Sequence, residues 1–165
     1  MRRVAVTDGM AKEAVKKLEN AGCEVVLEAI DHQNLISGAL GEFDAVIVRS
    51  ATKLTREILE ASQPRLKVVA RAGVGVDNID VKAASEFGIP VVNSPRSSTQ
   101  SVVELTIGHL LGSLRHIPQA DRSLRSGEWA KSEFMGTELY GKRLGLIGFG
   151  PVSYTHLRAH ETRPN

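Results

Sequence analysis

The chain of 165 residues has a single cysteine, Cys23. A disulfide framework is therefore excluded, and the usage suits a reducing cytoplasm. Cys23 lies just ahead of an apolar run and reads as a small core residue rather than a nucleophile. Long hydrophobic runs are also lacking. The stretch Val4–Val6 behind Arg2 and Arg3 is far too short for a signal peptide, and no segment has the length to span a membrane. The expected setting is soluble, intracellular and cytoplasmic, with no membrane partner. Charge of one sign is not in excess: the formal net charge is +2 and the basic residues are dispersed. No basic stripe interleaves with aromatics, so no nucleic-acid partner is implied. Internal repeats and low-complexity segments are absent.

What is present is apolar sequence, 42 % of the residues, enough for a real core. Short apolar runs alternate with helical patterns through the first ninety or so residues. Strands are expected at Arg3–Thr7, Glu24–Glu28, Asp44–Val48, Leu66–Ala70 and Ile89–Val92. Between them fall a helix with Met10, Ala14, Val15 and Leu18 at helical spacing, a weaker one around Leu35–Leu40, one capped by Thr55 and one capped by Asp80. Strands apolar throughout, separated by helices, predict a parallel sheet covered on both faces. The fold class is α/β, a flavodoxin-like doubly wound parallel sheet. "NSPRSSTQS" (Asn93–Ser101) then reads as a boundary. Ser101 and Glu104 have capping-box spacing, and a long, weakly charged helix follows through Leu114, expected to be buried between domains or subunits. "LGLIG" (Leu144–Gly148) predicts a fresh strand, the start of a second, Rossmann-type domain that this chain holds only in part.

In a parallel sheet, ligands bind at the carboxyl ends of the strands. Three of the expected strands run into Arg49-Ser50-Ala51-Thr52-Lys53, into Arg71-Ala72-Gly73-Val74-Gly75-Val76-Asp77, and into Asn93-Ser94-Pro95. Guanidinium forks and clustered amides are what a carboxylate or phosphate needs. The inferred partner is a small anionic substrate. Each feature alone has a plainer reading, a solvated surface arginine or a tight turn, and Lys53 keeps the plainer one. Asp8 stands alone after the first strand, which argues against an acidic phosphoacceptor cluster. His32 and His116 read as surface residues and His109 as packing on the long helix; none suggests a dyad, and no metal site is expected. "GLIGFG" (Gly145–Gly150) has two glycines of a dinucleotide turn, but Ser153 stands where a third is needed.

Together "VIVRSATKLT", "VVARAGVGVDNID", "VVNSP", "SVVELTIGHLLGSLRHIPQA", "GEW" and "FMGTELYGKRLGLIGFG" resemble the NAD-dependent D-isomer-specific 2-hydroxyacid dehydrogenases, and among them the D-3-phosphoglycerate dehydrogenases. The resemblance runs in order through residues 1–150. It implies a substrate-binding domain over residues 1–93, without its C-terminal return segment, and the start of an NAD-binding domain over 94–150. The implied reaction is oxidation of 3-phosphoglycerate to 3-phosphohydroxypyruvate with NAD, the first step of serine synthesis. The alternatives are another D-2-hydroxyacid dehydrogenase, of the glyoxylate or hydroxypyruvate reductase type, or a non-catalytic binding module of the same fold. By resemblance Arg49 and Ser50 face the substrate, Arg71 adds positive charge, and the amides of Gly73 and Val74 hold its carboxylate. Asn93 would line the cleft. Val74 and Val103 would border the nicotinamide, and Gly148 and Gly150 would turn under the pyrophosphate. The long helix and the loop with Trp129 would build a homodimer or tetramer. The family's catalytic arginine, glutamate and histidine follow the glycine turn, so no catalytic residue is expected within this chain. Residues 151–165 leave the family pattern: "PVSYTHLRAHET" resembles a translated transposon-type sequencing adapter, so this tail is expected to be non-native and the chain a fragment, inactive by itself.

Overall fold

The computed structural model describes residues 1–147. The chain divides into two compact units, Met1–Ser97 and Ser98 onward. The first unit has five strands, β1 (Arg2–Val6), β2 (Cys23–Leu27), β3 (Ala45–Val48), β4 (Val68–Arg71) and β5 (Val91–Asn93). All pair in parallel in the order β2-β1-β3-β4-β5. Between them lie α1 (Lys12–Asn20), α2 (His32–Ile36), α3 (Arg56–Ala61) and α4 (Val81–Glu86), plus a 3-10 turn at Ala39–Glu42. Right-handed crossovers put α1 on one face and α2, α3 and α4 on the other, and α3 packs against both α2 and α4. The chain reverses direction across the sheet between β1 and β3. This is the doubly wound, flavodoxin-like arrangement that the sequence pattern predicts.

The central strands carry the core because both their faces are covered. Val46, Val48 and Val69 are fully buried among Leu40, Leu54, Ile58, Leu59 and Leu66. Ala83 and Ala84 on α4 are also fully buried. Their small side chains let α4 approach α3, where Ile58 and Leu59 point inward. The edge strands are less covered: Cys23, at the start of β2, is half-buried and not in the core as expected. Asp80 caps α4 as expected, accepting from the Ala83 amide at 2.8 Å. Thr55 precedes α3 but its side chain caps nothing. The weak helix expected around Leu35–Leu40 starts earlier, because the Asp31 carboxylate accepts the Asn34 amide at 2.9 Å and sets its first turn.

The second unit opens with α5 (Thr99–Leu114), then α6 (Ile117–Arg125) and a 3-10 turn at Lys131–Phe134. The capping box does not form. The Ser98 carbonyl already accepts the Val102 amide at 2.9 Å, so the helix starts before Ser101. Glu104 instead accepts from the Gln100 side chain at 2.8 Å. The only side chain of α5 that is buried is Val103; Leu105, Ile107, Leu111 and also His109 are exposed. The strand expected at Leu144–Gly148 is absent over residues 144–147, where Leu144, Leu146 and Ile147 lie exposed. A strand exists only through its ladder partners, and none of the described residues offers one there. Residues 148–165, including the proposed tail 151–165, lie outside the described residues.

Candidate functional site

Parallel pairing brings the carboxyl ends of the strands to one edge. Val48 lies level with Arg71, and Arg71 with Asn93. The loops that begin at Arg49, Arg71 and Asn93 therefore leave the sheet side by side, with the Thr7-Asp8 segment after β1 next to the first of them. This is the switch-point side of an open α/β sheet, where ligands bind.

The Arg49–Thr52 turn is held from below by Asp8. One oxygen of the Asp8 carboxylate accepts the Arg49 amide at 2.7 Å and the Thr52 amide at 3.1 Å. Its other oxygen accepts the Thr52 hydroxyl at 2.5 Å. The Thr52 hydroxyl also lies 2.8 Å from that of Thr7, and both threonines are buried. Partial burial pushes the Asp8 carboxyl upward, but the Thr52 hydroxyl and the amides of Thr52, Arg49 and Ala51 together outweigh it and hold the group below the ordinary aspartate range. Asp8 is thus a fixed anion pinning the backbone, while the Arg49 and Ser50 side chains are left exposed. Among the described residues, no hydrogen bond or ion pair engages the Arg49 guanidinium.

Asn78 holds the same turn from the opposite side. Its amide nitrogen donates to the Arg49 carbonyl at 2.8 Å and to the Thr52 carbonyl at 2.6 Å. Its oxygen accepts Nε of Arg71 at 3.3 Å. Arg71 is half-buried, and its Nη1 donates to the Ala72 carbonyl at 3.0 Å. The guanidinium lies over Gly73: a Cβ there would fall 2.0 Å from Nη1. The Gly73 amide donates to the Arg71 carbonyl at 2.8 Å, so it is already engaged. Asn93 Nδ2 donates to the Val74 carbonyl at 2.6 Å, and the Ser94 amide to the Gly73 carbonyl at 2.9 Å. Among the described residues nothing accepts from the Val74 or Gly75 amides. Adjacent unpaired amides and a guanidinium are the kinds of donor that a small anion needs; here Arg71 lies over Gly73, and the Asp77 carboxylate lies beside Gly75.

Arg49, Ser50, Arg71, Gly73, Val74 and Asn93 are therefore neighbours at one sheet edge. Lys53 lies apart from the arginines, lining a cleft of about 410 Å³ with Thr7, Asp8, Ile30 and His32. Val103 is in the second unit, and Gly148 and Gly150 lie outside the described residues. Of the described residues expected to border a nicotinamide, Val74 is exposed and Val103 is buried. No histidine is hydrogen-bonded to a carboxylate among the described residues, and no cluster of metal-ligating side chains occurs among them. Asp8 and Asn78 were not legible as site residues. Their only sequence signals were an acid two residues after β1 and an asparagine two residues ahead of the Asp80 cap.

The family described as the D-isomer specific 2-hydroxyacid dehydrogenase catalytic domain matches residues 4–162. A D-3-phosphoglycerate dehydrogenase of Methanocaldococcus jannaschii is 48% identical over 152 residues, 92% of this chain and 29% of that protein. A hydroxypyruvate reductase of Thermotoga maritima is also 48% identical, over 91% of this chain and 49% of its own length. The NAD+-bound 3-phosphoglycerate dehydrogenase of Entamoeba histolytica superposes with a TM-score of 0.73 at 32% identity, covering 97% of this chain and 50% of that one. The chain thus spans between 29% and 49% of the length of these two curated relatives. With its sheet order and a match over nearly its whole length, the chain belongs to the D-isomer specific 2-hydroxyacid dehydrogenase family.

Proposed function

We propose that this chain supplies the substrate-binding part of an NAD-dependent dehydrogenase that oxidises 3-phosphoglycerate to 3-phosphohydroxypyruvate. The observation behind this reading is the convergence of Arg49, Arg71 and the unpaired amides of Val74 and Gly75 on one sheet edge. A phosphorylated 2-hydroxy acid has two anionic ends, and the edge has two kinds of hydrogen-bond donor for them. Arg49, exposed and free of ion pairs among the described residues, suits the phosphate. The Val74 amide suits the carboxylate, with Gly75 rather than the engaged Gly73 beside it. Arg71 adds positive charge, Ser50 a hydroxyl, and Asn93 braces the Val74 peptide.

When bound, NAD would supply the hydride acceptor. Val74, Val103, Gly148 and Gly150 are the residues proposed to hold it. The hydroxyl proton needs a base and the forming carbonyl a cation. We assign neither role within this chain. The exposed apolar face of α5 and the exposed Trp129 support assembly as a homodimer or tetramer. A cytoplasmic setting agrees with the single cysteine, and no helix among the described residues is long and apolar enough to cross a membrane.

Equal identity to a hydroxypyruvate reductase favours a second reading, a substrate without phosphate. Steady-state reduction of phosphohydroxypyruvate and hydroxypyruvate by the full-length enzyme separates the two. Preference for the phosphorylated acid, lost on Arg49→Ala, supports the first. Equal or better turnover of hydroxypyruvate rejects it.

A further inference from the structure

We propose that Asn78 is a positioning residue that sets Arg49 and Arg71 at the separation a two-ended anion requires. This rests on the reading that these loops bind a phosphorylated 2-hydroxy acid. An asparagine amide has two donor hydrogens and one accepting oxygen, and here all are engaged. The donors meet the carbonyls of Arg49 and Thr52 at 2.8 and 2.6 Å, and the oxygen meets Nε of Arg71 at 3.3 Å. Only this orientation is chemically consistent. A flipped amide would set its oxygen against two carbonyls and its hydrogens against a guanidinium. One side chain therefore joins the β3 loop to the β4 loop at the two arginines.

The base of Asn78 is rigid. Its own carbonyl accepts the Leu54 amide at 2.9 Å, and the Asp80 amide donates to the Leu54 carbonyl at 2.8 Å. These bonds belong to a short parallel bridge between Leu54 and Ile79, both buried. Because Asp8 holds the amides of the same turn and Asn78 its carbonyls, the Arg49 backbone is gripped on both sides. Aspartate at position 78 has the same shape but no donors. It would attract Arg71 while repelling the two carbonyls of the Arg49 turn, and so would uncouple the loops.

The test uses the ¹⁵N-labelled 165-residue chain as wild type, Asn78→Ala, Asn78→Asp, Arg71→Lys and Arg71→Lys combined with Asn78→Ala. Amide shifts of residues 49–52 report loop coupling without ligand. Titration with 3-phosphoglycerate reports affinity, and urea midpoints report the fold. The expected result is that Arg71→Lys shifts the 49–52 amides in wild type but not in the Asn78→Ala background. Both Asn78 variants should weaken 3-phosphoglycerate binding by about ten-fold, the equivalent of one lost charge-assisted contact. If Asn78→Ala does not fold, Asn78→Asp carries the affinity test, and the coupling is read by comparing Arg71→Lys alone with Arg71→Lys combined with Asn78→Asp. A lower urea midpoint with coupling and affinity unchanged would mean a structural asparagine only, and overturns the proposal. If the wild-type chain does not bind 3-phosphoglycerate, the ligand-free coupling alone decides the role of Asn78, and the substrate reading is decided by the kinetics of the full-length enzyme.

Discussion

Removing the Asp8 carboxylate loosens the Arg49 turn, and the size of the effect follows from its contacts. Asp8 accepts the Arg49 amide at 2.7 Å, the Thr52 amide at 3.1 Å and the Thr52 hydroxyl at 2.5 Å. Hydrogen bonds to a charged group contribute about 1.5–3 kcal/mol each where water cannot replace them. Water can reach the exposed Arg49 amide, so that bond counts for little. The two bonds at buried Thr52 count more fully, and Asp8→Ala should cost about 3 kcal/mol. Asp8→Asn keeps acceptors for the two amides and should cost about 1 kcal/mol, the charge assistance alone. The pH dependence has a definite sign. The carboxyl is held below its ordinary value in the folded chain. The unfolded state therefore binds the proton first on acidification. The stabilisation is complete above about pH 4, the ordinary aspartate value, and is lost as pH falls through the lower folded value. Urea unfolding between pH 7 and pH 2, followed by circular dichroism, measures both. Asp8→Ala within about 0.5 kcal/mol of wild type at pH 7, or an acid limb as steep in Asp8→Asn as in wild type, would refute the clamp.

Two further outcomes are expected. Gly73→Ala places a methyl 2.0 Å from Arg71 Nη1. The flexible guanidinium swings away rather than the backbone, so stability should fall by about 1 kcal/mol while the Arg71 Nε resonance loses its bonded shift. Trp129, 79% exposed, is unpacked in the single chain; Trp129→Ala should leave urea stability within about 0.5 kcal/mol yet weaken self-association in sedimentation velocity.

The order of strands and helices was readable because a two-sided parallel sheet forces continuous apolar runs, and "AVIV" (Ala45–Val48) and "VVAR" (Val68–Arg71) are such runs. The candidate anion site was readable in part for the same reason. Once the strands are parallel, Arg49, Arg71 and Asn93 must share an edge, whatever the loops do. Local chemistry was less dependable. Asp80 caps α4, but Ser101 does not cap α5, because helix starts depend on which carbonyl first finds an amide. "LGLIG" has strand composition without a strand over residues 144–147, since pairing needs a neighbour that composition does not supply.

By itself the sequence determined the sheet, its direction and therefore the edge at which charge gathers, because hydrophobic periodicity is written residue by residue. Only the tertiary structure decided how that charge is held. Asp8 and Asn78 lie 70 residues apart in the chain, on different loops, and their roles exist only because folding brings both against one turn. It also decided which amides remain unpaired among the described residues, since the Gly73 amide turns back to Arg71 while those of Val74 and Gly75 do not. A hydrogen bond between distant residues has no periodicity to leave in a sequence. It appears only when the backbone has placed its donor and acceptor within reach.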